Sequence, residues 1–302
     1  MTDLLSISAE VEDALAASRP VVALETTLVT HGLPHPQGLE VAAVLEQIVR
    51  REGAVPATIA ILDGRARIGV GAETLQQLAG AGARKVNLGN LAAVLASGRA
   101  GSTTVAATMA LAHRAGIRVF STGGIGGIHR GVSDSGDISA DLTALARYPL
   151  AVVCAGAKAL LDLPKTVEAL ETVGVPVLGY RTDEFPAFYR RESGLRVDLR
   201  CDSVEQLAKV VATHFELDRN PTGVLVVNPI PRESEMHKEV YDDALAQAFE
   251  ALAGDPVQGR DVTPFLLDKL DRFTAGRSVS ANRALLENNA RLAAQLASAP
   301  SE

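Results

Sequence analysis

The chain has 302 residues, 47% of them hydrophobic, with a formal net charge of -7 and no tryptophan. It has no basic block with interleaved aromatics to hold nucleic acid, and its apolar runs fall far short of the roughly 18 residues that cross a bilayer. Acids occupy the start, where a secretion signal needs basic residues, and the distant Cys154 and Cys201 suggest neither a disulfide framework nor a zinc cluster, so a soluble protein of the reducing cytoplasm is expected.

Short β-type runs alternate with helical patterns, which predicts one domain over 1–302 with a mainly parallel or mixed sheet covered by helices. The first run, 21–24, ends at Glu25. A carboxyl group after four apolar residues is either buried with a partner or aimed into the crevice beyond the sheet. An apolar setting would raise its pKa into the range of a general acid. His31 and His35 follow four residues apart, but Gly32, Pro34 and Pro36 break any helix that would present them together as metal ligands. Both read as loop residues. A helix is predicted over 39–50 and a strand over 58–62. Lys85 lies in a short mixed segment between helical patterns, where it can pair with a phosphate, although a solvated lysine is the commoner outcome.

A helix is predicted over 102–115, capped by Ser102 or Thr103 and closed by His-Arg-Ala-Gly. After a strand at 119–121 comes the most unusual composition of the chain, STGGIGGIHRGVSDSGDISAD over 121–141. Strand, Gly-rich loop and helix in series is where α/β proteins hold anions. Glycines let backbone N–H groups approach a phosphate, and Thr122, His129, Arg130, Ser133, Ser135 and Ser139 add donors. No Walker A sequence is present and no Gly-x-Gly-x-x-Gly opens directly onto a helix, and such a loop alone is as often a connection. The acids Asp134, Asp137 and Asp141 sharpen the reading. Asp137 and Asp141, four apart near a helix start, can reach one region. Acids there usually cap the helix, but a carboxylate turned into the loop suits magnesium or manganese.

The strand 150–154 runs into Ala155-Gly156-Ala157 and then Lys158, with a helix predicted over 159–172. A lysine at the end of a buried strand sits where the ligand crevice of the sheet opens, and desolvation there favours a neutral amine able to form a Schiff base. The plainer alternative is a surface lysine opening a helix. Strands at 175–179 and 224–228 and helices at 204–215, 235–252 and 281–296 complete the pattern, the last hundred residues being the most helical. On the final helix Asn282 and Asn289, seven apart, share a face. Asparagine can read a uracil-type edge, though a hydrogen bond between helices is its more ordinary use.

Taken in series, ALETTLVTHGLPHPQ, RKVNLGNL, GSTTVAATM, FSTGGIGGIHRGV, DISADLTALAR, VVCAGAKALLDLPKTVEALETVGVPVLGY, NPIP, GRDVTPFLL and NNARLAAQLA resemble the pseudouridine-5′-phosphate glycosidase family, also called indigoidine synthase A-like proteins. The resemblance covers nearly the whole chain. It implies a three-layer α/β/α fold, a homotrimer and a divalent metal, usually Mn2+. The implied reaction is reversible cleavage of pseudouridine 5′-phosphate to uracil and ribose 5-phosphate. It matches Lys158 to the Schiff-base nucleophile, Glu25 to the proton donor and Asp137 to the metal ligand. Ser139, Ala140 and Asp141 fall on a substrate-binding segment, and Lys85 and Val105 on further substrate contacts, the latter through its backbone. Thr122, His129 and Asn282 are assigned to the same pocket. The chain departs from the pattern at Thr26, where serine is commoner, and at Arg232, where an acid is. Two other activities share part of this pattern: an aldolase-like Schiff-base lyase on another sugar phosphate, and a catalytically silent phosphosugar-binding protein.

Overall fold

The computed structural model describes residues 4–255, 257 and 262–300; residues 259–261 of the GRDVTPFLL motif lie outside the described residues. The chain begins with β1 (Leu5–Ile7), α1 (Ala9–Ala16), β2 (Val21–Leu24), a π-helical turn (Leu28–Gly32), α2 (Gln37–Arg51) and β3 (Val55–Leu62). It continues with β4 (Arg65–Ile68), α3 (Ala72–Gly80), β5 (Arg84–Val86), α4 (Leu91–Ser97), β6 (Gly101–Thr103), α5 (Val105–Arg114) and β7 (Val119–Ser121). After the Gly-rich loop come α6 (Val132–Ser135), α7 (Ala140–Arg147), β8 (Ala151–Cys154), α8 (Leu163–Thr172), β9 (Val177–Tyr180) and β10 (Leu199–Cys201). The last part is α9 (Val204–Leu217), β11 (Val224–Val227), α10 (Lys238–Ala253), α11 (Val262–Phe273) and α12 (Arg277–Ser298).

The strands form one sheet in the order β1-β4-β3-β2-β7-β8-β11-β9-β10, with β6 joined to β3 and β5 to β6. From β3 to β10 every neighbouring pair is parallel, whereas β4 and β6 run antiparallel to β3. The sheet is therefore mixed, with a parallel centre. VVAL, AVVC and VLVV are apolar throughout because both of their faces are covered. Alternate side chains serve two separate cores. Val22, Leu24, Val153 and Val226 pack with α2, α10 and α12 on one face, while Ala23, Val152, Cys154 and Leu225 pack with α1, α5 and α7 on the other. This is the α/β/α layering, and after β11 the described chain is helical apart from its connections. No described helix is long and apolar enough to cross a membrane.

Two helix starts differ from the sequence pattern. Ser102 and Thr103 belong to β6, where Ser102 registers with Ala60 of β3 and with Lys85 of β5. The cap is Thr104, whose hydroxyl accepts from the Ala107 N–H. Residues 155–162 are not helical either. Their backbone is tied sideways to the Gly-rich loop, with Ala155 N–H on the Gly123 carbonyl and Lys158 N–H on the Ile125 carbonyl. Helix α8 starts only after Asp162 caps it.

Candidate active site

Three neighbouring parallel strands, β2, β7 and β8, end side by side. The residues just past their carboxyl ends are Glu25, Thr122 and the segment leading to Lys158, at the edge where open α/β sheets hold ligands. The cleft there has two halves. One is polar and lined by Lys85, Thr104, His129, Asp137, Ser139 and Asp141. The other is largely apolar, formed by Leu28, Phe188, Leu267 and Leu286, with Glu25, Thr27, His31, Thr122 and Asn282 among its polar groups. Lys158 and Lys85 line both halves. Lys158 is half-buried in an irregular segment, so it is neither a surface lysine nor a helix opener.

Glu25 is 7% exposed. Burial pushes its pKa above the ordinary 4.5, opposed by the charge of Lys158 and by the Thr122 hydroxyl. That hydroxyl donates to the Glu25 carboxylate at 2.5 Å. Thr122 therefore serves Glu25 in the apolar half and is not grouped with His129 and Ser139 as a phosphate donor. Burial also holds the His129 imidazole below its usual pKa, against the pull of Asp137 and with the push of Lys158 and Lys85. Its Nδ1 stands 3.7 Å from Asp137, beyond hydrogen-bond distance.

The Gly-rich loop is a packed platform more than an open phosphate nest. Residues 121–128 are buried, and several of its amides already have protein acceptors. Ile125 N–H donates to the Gly156 carbonyl at 3.0 Å and His129 N–H to the Asp137 carbonyl at 3.1 Å. Gly126 N–H donates to Asp141 at 2.7 Å, and the same carboxylate accepts from Ala106 N–H at 2.9 Å. Asp141 thus ties the loop to the start of α5, although it still borders the polar half. A side chain at Gly126 would run into the Ser139 hydroxyl, and one at Gly127 into Thr166. The glycines let these side chains close on the loop.

Ser139 caps α7, and it and Ala140 border the polar half. Val105 is fully buried at the first position of α5, so a contact with a ligand would run through its backbone. Asp134, Ser133 and Ser135 are exposed on α6 and line neither half. Arg130 turns away, its guanidinium 5.0 Å from the centre of the Phe249 ring, and borders a larger cavity of about 660 Å³. Neither Lys158 nor Glu25 lines that cavity.

Asn282 and Asn289 divide the roles asparagine can take. Asn282 faces the apolar half; Asn289 is fully buried and donates to the Thr122 carbonyl at 2.9 Å while accepting from Asn228 at 3.1 Å. Thr26 bonds the Ile59 carbonyl at 2.8 Å and accepts from Thr103 N–H at 2.9 Å, which a serine hydroxyl would also do. His31 is the residue the sequence pattern passed over. It lies in the π-helical turn, lines the apolar half, and meets the Thr30 hydroxyl at 2.6 Å. Breakers around it hid this position, because a π-helical turn has no 3.6-residue repeat to detect.

Among the described residues no group of three or more His, Cys, Asp and Glu side chains converges on one point. The described residues thus build no closed protein cage for a metal. Asp137, about a third exposed at 32%, is a single carboxylate on the wet side of the cleft, which fits a hard cation that keeps most of its waters and meets a phosphorylated substrate.

Residues 10–299 match the family model described as indigoidine synthase A-like protein. A protein of Sorangium cellulosum named pseudouridine-5′-phosphate glycosidase is 53% identical, over 99% of this chain and 95% of its own length. Among solved structures, the prealnumycin C-glycosynthase AlnA in complex with ribulose 5-phosphate superposes with a TM-score of 0.90 at 38% identity, over 99% of this chain and 97% of that one. An indigoidine synthase A-like protein from Thermotoga maritima superposes with a TM-score of 0.87 at 38% identity, over 98% and 97% of the two chains.

Proposed function

The chain belongs to the indigoidine synthase A-like protein family, and from that premise and the cleft we propose that it is a pseudouridine-5′-phosphate glycosidase. It cleaves the carbon–carbon glycosidic bond reversibly, giving uracil and ribose 5-phosphate. The observation that carries this reading is the position of Lys158, bordering a polar half fit for a sugar phosphate and an apolar half fit for a planar base. Relatives of about 50% identity over full length carry the same name, and the solved neighbour holds another five-carbon sugar phosphate.

An ordinary glycosidase expels a heteroatom with two carboxylates. Here the leaving atom is carbon, so the base must be protonated at C5 before it can depart. The Lys158 amine bonds to C1′ as the C1′–O4′ bond breaks and O4′ takes up a proton. A proton delivered to uracil C5 then lets the C1′–C5 electron pair pass to the ring while the nitrogen lone pair forms the C=N bond. Water adds to C1′, returning the lysine amine and ribose 5-phosphate. Glu25, whose pKa burial raises and which lies on the base side, is suited to a proton transfer in this sequence. Lys85, His129 and Ser139 are placed to hold the phosphate and the sugar hydroxyls.

Asp137 would hold a divalent ion such as Mn2+, which would supply positive charge beside the sugar phosphate. The enzyme is taken to act as a homotrimer in the cytoplasm. An aldolase-like lyase would share Lys158 but would have no use for an apolar half carrying Asn282, and a silent binding protein would not need Glu25 beside Lys158. The test is incubation with pseudouridine 5′-phosphate and Mn2+, with and without a chelator. Equimolar free uracil and ribose 5-phosphate are expected, suppressed by chelation and restored by Mn2+. Absence of uracil from folded protein would reject the reading, and turnover indifferent to chelation would reject the metal.

A further inference from the structure

The segment between β9 and β10 contributes Phe188 to the lining of the apolar half, and this residue is held in an unusual way. Phe188 has φ of 62°, the left-handed region that a bulky L-residue avoids and that persists only where the surroundings enforce it. It is also 3% exposed, in a connection rather than in a strand or helix. Its N–H donates to the Ala155 carbonyl at 3.1 Å, three residues before Lys158. The ring meets Tyr189 edge-on at 4.7 Å between centroids.

Two glycines make room for this arrangement. A Cβ at Gly124 would lie 2.7 Å from Phe188 Cδ2 and Cε2. At Gly156, whose φ is +83°, a Cβ would collide with the Pro186 carbonyl that leads into Phe188. An unfavourable backbone and two cleared positions therefore set one aromatic ring in the wall of the apolar half, beside Leu28, Leu267 and Leu286. Leu267 and Leu286, from regular α-helices, already line that half with aliphatic side chains, so filling it did not require this geometry. An aromatic face offers what they lack, a flat surface for a conjugated ring.

We infer that Phe188 is the stacking platform for the pyrimidine base and sets the aglycone specificity of the cleft, while Asn282 addresses the edge of the base. The inference rests on the proposed glycosidase activity. Without the platform the base would enter the cleft with less affinity and less defined orientation toward Glu25, whereas the sugar phosphate on the far side of Lys158 would be held as before.

The experiment uses the full chain in the direction of synthesis. Initial rates of pseudouridine 5′-phosphate formation give separate KM values for uracil and ribose 5-phosphate in the wild type, Phe188→Leu and Phe188→Gly. Leucine keeps an apolar filler on the same strained backbone; glycine removes the ring and adopts the positive φ without strain, so a folding failure of the leucine variant would not block the test. Both variants are expected to raise KM for uracil about tenfold or more, the scale of a lost base–aromatic stack, with KM for ribose 5-phosphate within about twofold. An unchanged uracil KM, or equal rises in both KM values, would overturn the platform while leaving the glycosidase reading intact. A wild type that forms no product would overturn that reading and the platform with it.

Discussion

Glu25 shows how one residue couples stability to chemistry. Its folded pKa is raised above 4.5, chiefly by burial. The proton it holds therefore favours the folded state fully below pH 4.5, and this contribution is lost as pH rises through the folded value. Glu25→Gln removes the titration. Its melting temperature should decline less than that of the wild type from pH 5 to pH 8, as scanning calorimetry would record, while kcat falls by about 10²–10⁴-fold with loss of the proton donor. Parallel melting curves for the two proteins across that range would contradict the burial account. The sequence made Glu25 legible because an acid directly after four apolar residues is conspicuous. It hid the Thr122 hydroxyl that serves it, a partner 97 residues away brought close only by the pairing of β2 with β7. Asp141 was legible as a site residue but not as the group that ties Gly126 to Ala106, since nothing in local spacing reveals which amides a carboxylate will meet.

Helix α12 carries three asparagines, and two of them, Asn282 and Asn289, seven residues apart, should respond differently to truncation. Asn289→Ala strips the Thr122 carbonyl and Asn228 of buried partners and should cost about 2–3 kcal/mol of stability. Asn282→Ala, at the cleft wall, should cost less stability than Asn289→Ala in denaturant unfolding while raising KM for the base. Equal stability of the two variants would mean that the partition of roles is wrong. Elements of this length and amphipathic regularity were readable from sequence, as were the all-apolar strands β2, β8 and β11. The three-residue strands β1, β5, β6 and β10 were not. Their sequences, such as RKV and GST, carry no pattern of their own and become strands because distant partners offer them backbone hydrogen bonds. The same tertiary pull took Ser102 and Thr103 from a predicted helix into β6.

The parallel centre of the sheet determines where the whole molecule can do chemistry. Three adjacent strands deliver Glu25, Thr122 and Lys158 to one edge, and the polar and apolar linings on that edge match a substrate with a phosphorylated sugar at one end and a base at the other. The proposed homotrimer gives a direct expectation at this scale: light scattering should report three times the chain mass at micromolar protein, and a mass equal to one chain would reject it. The chemistry hinges on which of two cleft lysines, Lys158 or Lys85, bonds to the sugar. The decisive measurement is borohydride reduction of the protein in the presence of ribose 5-phosphate, followed by intact-mass and peptide mass spectrometry. One reduced pentose-phosphate adduct per chain, on the peptide containing Lys158 and absent from Lys158→Ala, is the predicted result. An adduct on Lys85, or none from folded protein, would contradict it.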